Sequence, residues 1–349
     1  MKKIILWLLV ISIITVFSLF SLAGCKEEVA EEEVAEEEEV AEEEEAAEEE
    51  VFTMLFVPGI ADPFYYTMEK GIQAKADELG VNLIVSEYPK SWGPEAQVPI
   101  LEAAAAAGGI DLIITAPTST DALIAPLKNL YDKGIAIITV DCFLGDGDYS
   151  VDSNYSFPLS YIGTDNKLGG LEVARHLAEL LDETGKVFLM NTNPDTSSVV
   201  ARGEGFTEGI AEFPDMTLVG EDWCLDDQQK AQQIVTAALQ KDPEIVGVFG
   251  VNVFSAQGAY QAVVNAGLTG AVKIATWDAT QDLINALKEG TVDMVLAQKP
   301  AEMGALCVEW GLKYLRDGTE VPKKVIPGFE FFTKDNVDDP DMQQFIYTK

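Results

Sequence analysis

Leu112-Ile113-Ile114-Thr115 and Ile135-Ala136-Ile137-Ile138-Thr139-Val140 decide the fold. Both runs are apolar at consecutive positions, so each must be a strand covered on both faces. Between them Asp121–Lys133 has the apolar spacing of a helix. Strand, helix and buried strand in succession make a βαβ unit, and such units build a doubly wound parallel sheet. Upstream the rhythm continues with strands at Val51–Val57 and Val81–Val85 and helices at Pro63–Leu79 and Ala96–Ala107.

A second series opens with Ser160–Ile162. It runs through Leu168–Leu181, Lys186–Met190, Val199–Glu212, Thr217–Val219, Gln228–Gln240 and Ile245–Phe249. Ala256–Ala266, Val272–Thr276, Thr280–Lys288 and Asp293–Ala297 complete it, and the alternation fades near residue 316. The irregular stretch Phe143–Leu159 divides the two series. The expected class is α/β, with two doubly wound parallel-sheet lobes.

Composition narrows the function. The 349 residues hold 59 Asp or Glu against 23 Lys or Arg, a formal net charge of −36. Phosphate contacts need clustered Lys and Arg, so this chain is not a nucleic-acid binder. With 48% hydrophobic residues it can bury a core, and its length suits about two domains. Four cysteines are too few for a disulfide scaffold.

The ends of the charge distribution mark a tether. Lys2-Lys3 precedes an apolar run from Ile4 to Gly24, which reads as an export signal. The run is also long enough for an uncleaved membrane span. Leu22-Ala23-Gly24-Cys25 resembles the lipobox of bacterial lipoproteins, which implies a lipid on Cys25 and removal of residues 1–24. Residues 26–50 carry sixteen Glu and one Lys in repeats of Val-Ala-Glu-Glu-Glu. Like charges at i,i+4 repel and no broad apolar face exists, so a self-repelling, solvated linker is expected. The bulk of the chain is then extracytoplasmic, anchored to a bacterial membrane.

Ligands of open α/β sheets bind beyond the carboxyl ends of the strands. There this sequence places Asp62-Pro63-Phe64-Tyr65-Tyr66, Asp141-Cys142-Phe143, Asn252, Trp277-Asp278 and Gln298-Lys299-Pro300. The helix at Val199–Glu212 adds Arg202-Gly203-Glu204-Gly205-Phe206. Planar polar groups beside aromatic rings suit a sugar or polyol, whose hydroxyls pair bidentately and whose C–H faces lie on rings. Plainer explanations exist for each. Asp62 before Pro63 is a good helix cap, Asn252 and Asp278 could be caps, and Phe64, Tyr65 and Trp277 could be core. Arg202 could be a surface residue paired with Glu204. Capping alone does not explain why both lobes present such groups together.

These residues also resemble a known family. Ala61-Asp62-Pro63-Phe64-Tyr65-Tyr66-Thr67-Met68-Glu69-Lys70-Gly71, Thr139-Val140-Asp141, Ile162-Gly163-Thr164-Asp165-Asn166, Arg202-Gly203-Glu204-Gly205-Phe206 and Ala275-Thr276-Trp277-Asp278, in that order, look like type I periplasmic sugar-binding proteins, those of ribose especially. The resemblance covers nearly all of residues 51–349. It implies a two-lobed, hinged receptor that delivers a monosaccharide or related polyol to an ABC import permease, without cofactor or metal. The first lobe would span 51–164 with about 299–329, and the second 165–298 with about 330–349. Asp62, Phe64 and Tyr65 match the family's Asn-Pro-Phe-Phe ligand loop, and Asp141, Arg202, Asn252, Asp278 and Gln298 match its other contacts. Asp62 stands where Asn is common, and Cys142 where ribose binders often have Arg. The second lobe's aromatic contact falls to Trp223 or Phe254.

Competing functions find less in the sequence. A lipid-anchored carbohydrate-processing enzyme would use Asp141 and Asp278 as an acid/base pair. No Gly-x-Ser-x-Gly or phosphate loop accompanies them. His176, the one histidine, falls on the polar side of its helix and is expected at the solvated surface. Asp146-Gly147-Asp148 lacks the Gly and terminal Glu of a calcium loop. A two-lobed transcriptional regulator would need a helix-turn-helix where the export signal stands. A receptor for a nucleoside remains an alternative. With Cys25 lipidated, Cys142, Cys224 and Cys307 allow at most one disulfide, and buried free thiols are expected.

Overall fold

The computed structural model describes residues 50–349; the apolar run, Cys25 and the Glu-rich stretch to residue 49 lie outside the described residues. Two six-stranded sheets carry the chain. The first holds, in spatial order, β2 (Asn82–Val85), β1 (Thr53–Val57), β3 (Leu112–Thr115), β4 (Ala136–Val140), β5 (Ser160–Ile162) and β11 (Lys324–Val325). The second holds β7 (Asp215–Trp223), β6 (Thr184–Asn191), β8 (Ile245–Gly250), β9 (Lys273–Trp277), β10 (Met294–Gln298) and β12 (Phe329–Phe332). All pairings are parallel except β10 with β12, where Val295 faces Phe332. Each sheet reverses its winding once, between β1 and β3 and between β6 and β8. Ligand clefts open at such switch points.

Both faces of each sheet are buried, as the continuous apolar strands require. In the first lobe Met54, Phe56, Leu112, Ile114 and Ile138 join one core, beneath α1 (Pro63–Leu79) and α9 (Pro300–Asp317). Leu55, Val57, Ile113 and Ile137 join another, beneath α2 (Pro94–Ala107) and α3 (Ile124–Tyr131). In the second lobe Val187, Leu189, Phe249 and Trp277 pack under α4 (Asn166–Leu180) and α5 (Ser197–Ile210). The opposite face meets α6 (Gln228–Lys241), α7 (Val253–Asn265) and α8 (Gln281–Glu289).

One boundary differs from the sequence reading. Ser160–Ile162 does not open the second series: β5 pairs in parallel with β4, Thr139 opposite Tyr161. Residues 143–159 cross back over the first sheet without a helix, which is why they look like a divider. The chain passes between sheets after β5, between β10 and α9, and between β11 and β12. Thr164 on the first crossing donates to Gln298 Oε1 at the second, 2.7 Å away.

His176 also departs from expectation. Its ring is half-buried and stacks on Phe331 of β12 at 4.3 Å, so the returning strand covers the face that looked solvated. Cys142, Cys224 and Cys307 are buried free thiols. Among the described residues no helix is long and apolar enough to cross a membrane.

Candidate functional site

The carboxyl ends of the strands in both sheets converge on one cleft. Asp62, Phe64, Tyr65 and Asp141 line it from the first lobe, and Arg202, Asn252, Asp278 and Gln298 from the second. The structure thus brings together all eight residues singled out from the sequence. Phe254 lines the cleft as well, whereas Trp223 sits half-exposed on edge strand β7 outside the lining.

Asp141 and Asp278 hold equivalent places. Each follows the fourth strand of its lobe, and each bonds through its N–H to the next strand, to Ile162 O at 2.9 Å and Leu296 O at 2.8 Å. Both take left-handed backbone angles, φ 63° and 75°. Asp226, in the loop before α6, does so too at φ 56°. Such conformations are sparse for residues with a Cβ and gather where geometry serves a site. Asp278 is therefore no helix cap; Thr280 caps α8.

Arg202 is 3% exposed and makes no pair with Glu204. Its Nε donates to Asn166 Oδ1 at 2.8 Å and its Nη1 to the Val251 carbonyl at 2.9 Å, while the guanidinium lies 4.3 Å over the Trp277 ring. Nη2 faces Asp141 Oδ1 across the cleft at 3.9 Å. The position depends on close helix packing. A Cβ on Gly170 of α4 would stand 2.1 Å from the Arg202 carbonyl oxygen, so only glycine lets α5 come this near.

Capping and cleft lining coincide at two residues. Asp62 Oδ1 accepts the Tyr65 N–H at 2.9 Å and starts α1; Asn252 Oδ1 accepts the Ser255 N–H at 3.0 Å in a capping box that starts α7. The cap uses one side of each group and leaves the rest toward the cleft. Asn252 Nδ2 donates to Asp226 Oδ1 at 2.7 Å, and Gln298 Nε2 to Asp278 Oδ1 at 2.9 Å. Tyr65 OH donates to Asp141 Oδ2 at 2.7 Å. Tyr65 and Phe64 are buried and also line the cleft, so core and site are not alternatives there.

Burial pushes the carboxyls of Asp62, Asp141, Asp226 and Asp278 above the usual range, Asp62 well above it. Desolvation is the leading cause for all four, and Arg202 opposes it at Asp141, Asp226 and Asp278. Four buried side-chain atoms of the described residues lack a hydrogen-bond partner: Asp141 Oδ1, Thr196 Oγ1, Trp92 Nε1 and Trp277 Nε1. The first three belong to residues that line this cleft. Folded proteins seldom leave buried polar atoms unpaired, and three around one cavity mark a place for a polar ligand.

Several lining residues escape a sequence reading. Trp92 lies in the loop after β2 with its ring stacked against Tyr65 at 6.5 Å, over Gly59. Thr192 and Thr196 come from the turn between β6 and α5, and Ser198 from the first turn of α5. Asp226 precedes Asp227, the cap of α6. The doubled Asp was the available signal, since a helix uses only one N-cap.

Residues 53–320 match the periplasmic binding protein domain family, and the chain belongs to it. The D-allose-binding periplasmic protein of Escherichia coli is 30% identical over 280 residues, which cover 77% of this chain and 84% of that protein. A ribose import binding protein of Salmonella typhimurium is 30% identical over 271 residues, with 77% and 86% covered. Among solved structures, an ABC transporter solute-binding protein from Agrobacterium vitis, bound with alpha-D-tagatopyranose, superposes with a TM-score of 0.83. It shares 38% identity and covers 85% of this chain and all of its own. Fold and kinship together define a sugar-binding solute receptor of the ABC-transporter class, a family of binding proteins and not of enzymes.

Proposed function

We propose that this protein captures a monosaccharide or related polyol in the cleft between its lobes and hands it unchanged to an ABC import permease. Asp62, Asp141, Arg202, Asn252, Asp278 and Gln298 make the polar contacts, and Phe64, Tyr65 and Phe254 the ring contacts. The three unpartnered buried atoms of Asp141, Thr196 and Trp92 around one cleft carry this reading. Lobe one is 51–164 with about 299–329, lobe two is 165–298 with about 330–349, and the three crossings are the hinge.

The lipobox-like Leu22-Ala23-Gly24-Cys25 supports a lipid anchor on Cys25, with the Glu-rich stretch as the tether. Cys25→Ala should then abolish fatty-acid labelling; equal labelling of mutant and wild type refutes the anchor. For the cleft, a thermal-shift screen against pentoses, hexoses, polyols and nucleosides is the test, because a ligand that binds only the folded state raises stability by mass action. A shift with sugars or polyols supports the reading. A shift with nucleosides and none with sugars removes it.

A further inference from the structure

The lining of the cleft holds four carboxylates, Asp62, Asp141, Asp226 and Asp278, against one guanidinium. That guanidinium already spends two of its arms on Asn166 and on the Val251 carbonyl. Three of the neutral donors are also engaged. Tyr65 OH serves Asp141, Asn252 Nδ2 serves Asp226, and Gln298 Nε2 serves Asp278. Trp92 Nε1, the Thr196 hydroxyl and Nη2 of Arg202 remain as donors for hydroxyls, but the lining carries a clear excess of carboxylate over cationic charge. Oδ1 of Asp141, on a side chain only 6% exposed, has no hydrogen-bond partner.

A hydroxyl brings one proton and two lone pairs to such a place. An ammonium brings three protons, no lone pair and a positive charge. We propose that the solute is a sugar or polyol bearing a basic nitrogen, its ammonium held among Asp62, Asp141 and Asp226 and its hydroxyls shared with Asp278, Gln298 and Arg202. The inference rests on the sugar-receptor reading of the same cleft and narrows its ligand class.

Charge complementarity is the physical reason. Carboxylates gathered out of water destabilise one another unless a cation joins them. At Asp62 the charges of Asp278, Asp141 and Asp226 add to burial in holding the proton on. Arg202 is the one cationic side chain in the lining, so the missing positive charge is assigned to the solute. The rings of Trp92, Tyr65 and Phe254 suit the C–H faces of the same molecule, and a cation beside them gains further.

Calorimetry on the full chain tests this with D-glucosamine, D-galactosamine and D-mannosamine, each against its parent hexose and N-acetyl form, and with N-methyl-D-glucamine against D-glucitol. At least one aminated probe should bind about tenfold or more tightly than its neutral counterpart, a difference of about 1.4 kcal/mol. N-acetylation should erase the advantage, and so should Asp62→Asn, which keeps the helix cap, or Asp226→Asn. A neutral sugar that binds as tightly as its aminated partner overturns the inference and leaves the sugar receptor standing. If no probe binds, neutral or aminated, both fall.

Discussion

The hydroxyl of Tyr347 stands 3.3 Å from Asp278 Oδ1 and 2.8 Å from the backbone nitrogen of Gln298. It accepts the Gln298 N–H and donates to the carboxylate, so one buried oxygen fixes two cleft residues. Its ring lies 5.8 Å from that of Phe64, a first-lobe residue, and its own N–H bonds to Ala279 O at 2.8 Å. Residues 347 and 348 thus reach from β9 across to α1, where Thr348 N–H donates to Thr67 Oγ1 at 2.9 Å.

Tyr347→Phe keeps the ring and removes that oxygen. The Gln298 N–H is then buried without an acceptor, at a cost of about 1–3 kcal/mol to stability. Asp278 loses one of the two side-chain hydrogen bonds that aim it, and ligand affinity should fall about tenfold. Urea unfolding and calorimetry measure the two effects. If both stay at wild-type values, Tyr347 is not a positioning residue.

A similar dependence holds at Gly170. Its absent Cβ lets α4 lie against α5, and Asn166 at the start of α4 holds Arg202 through its side chain. Gly170→Ala forces the helices apart and should cost about 1–3 kcal/mol in stability, the scale of an overpacked core. Because Arg202 moves with α5, ligand affinity should fall as well. A variant that is less stable yet binds normally would show that Arg202 is held by something other than this packing.

Much of this was legible in the sequence, and the exceptions have physical causes. The buried strands, the helix that begins at Pro63 and the acids at strand ends are local features, written in consecutive residues. Seven of the eight proposed contacts were visible because each ends or follows a strand or lies at the start of a helix; Arg202, in the second turn of α5, was visible through its Arg-Gly-Glu-Gly-Phe setting. Tyr347 gave no signal, since it reaches Asp278 only through a bridge between distant segments. Trp92, in Ser91-Trp92-Gly93-Pro94, gave no signal either, since its meaning comes from the Tyr65 ring it stacks on. The misplaced division at residues 143–159 has the same origin: a crossover without a helix looks like a linker until its strand is paired.

The raised carboxyls make stability depend on pH in a definite direction. In the folded, ligand-free protein Asp62 keeps its proton above the ordinary value of 3.8, whereas the unfolded chain has released it. Between those two values the native state binds more protons, so stability falls as pH rises through that window. The deficit is complete above the folded value and absent below about pH 3.8. Asp62→Asn removes the titration and retains a good cap. Without ligand it should melt higher than wild type at pH 7, with the gap closing toward pH 4. The comparison between the two chains cancels the general acidity of the protein. A gap that is constant with pH, or reversed in sign, contradicts the account.

Closure of the lobes turns on Asp141 and Arg202, which face each other from opposite sides of the cleft at 3.9 Å. A ligand drives closure only if it binds the closed form better, and it does so by contacting both lobes. Arg202 presents a planar fork to adjacent hydroxyls, a task an ammonium performs less well. Removing it also strands buried carboxylates, so Arg202→Ala should be destabilised by about 3–5 kcal/mol. Arg202→Lys and Asp141→Asn are the gentler probes. In Asp141→Asn the side-chain oxygen can still accept from Tyr65 OH, so the fold is retained while the charge is lost. Each should weaken ligand binding by about 1.5–3 kcal/mol, roughly ten- to a hundredfold. Small-angle scattering should then show open lobes at ligand concentrations that compact the wild type. Normal affinity with normal compaction in both variants would place the binding site elsewhere.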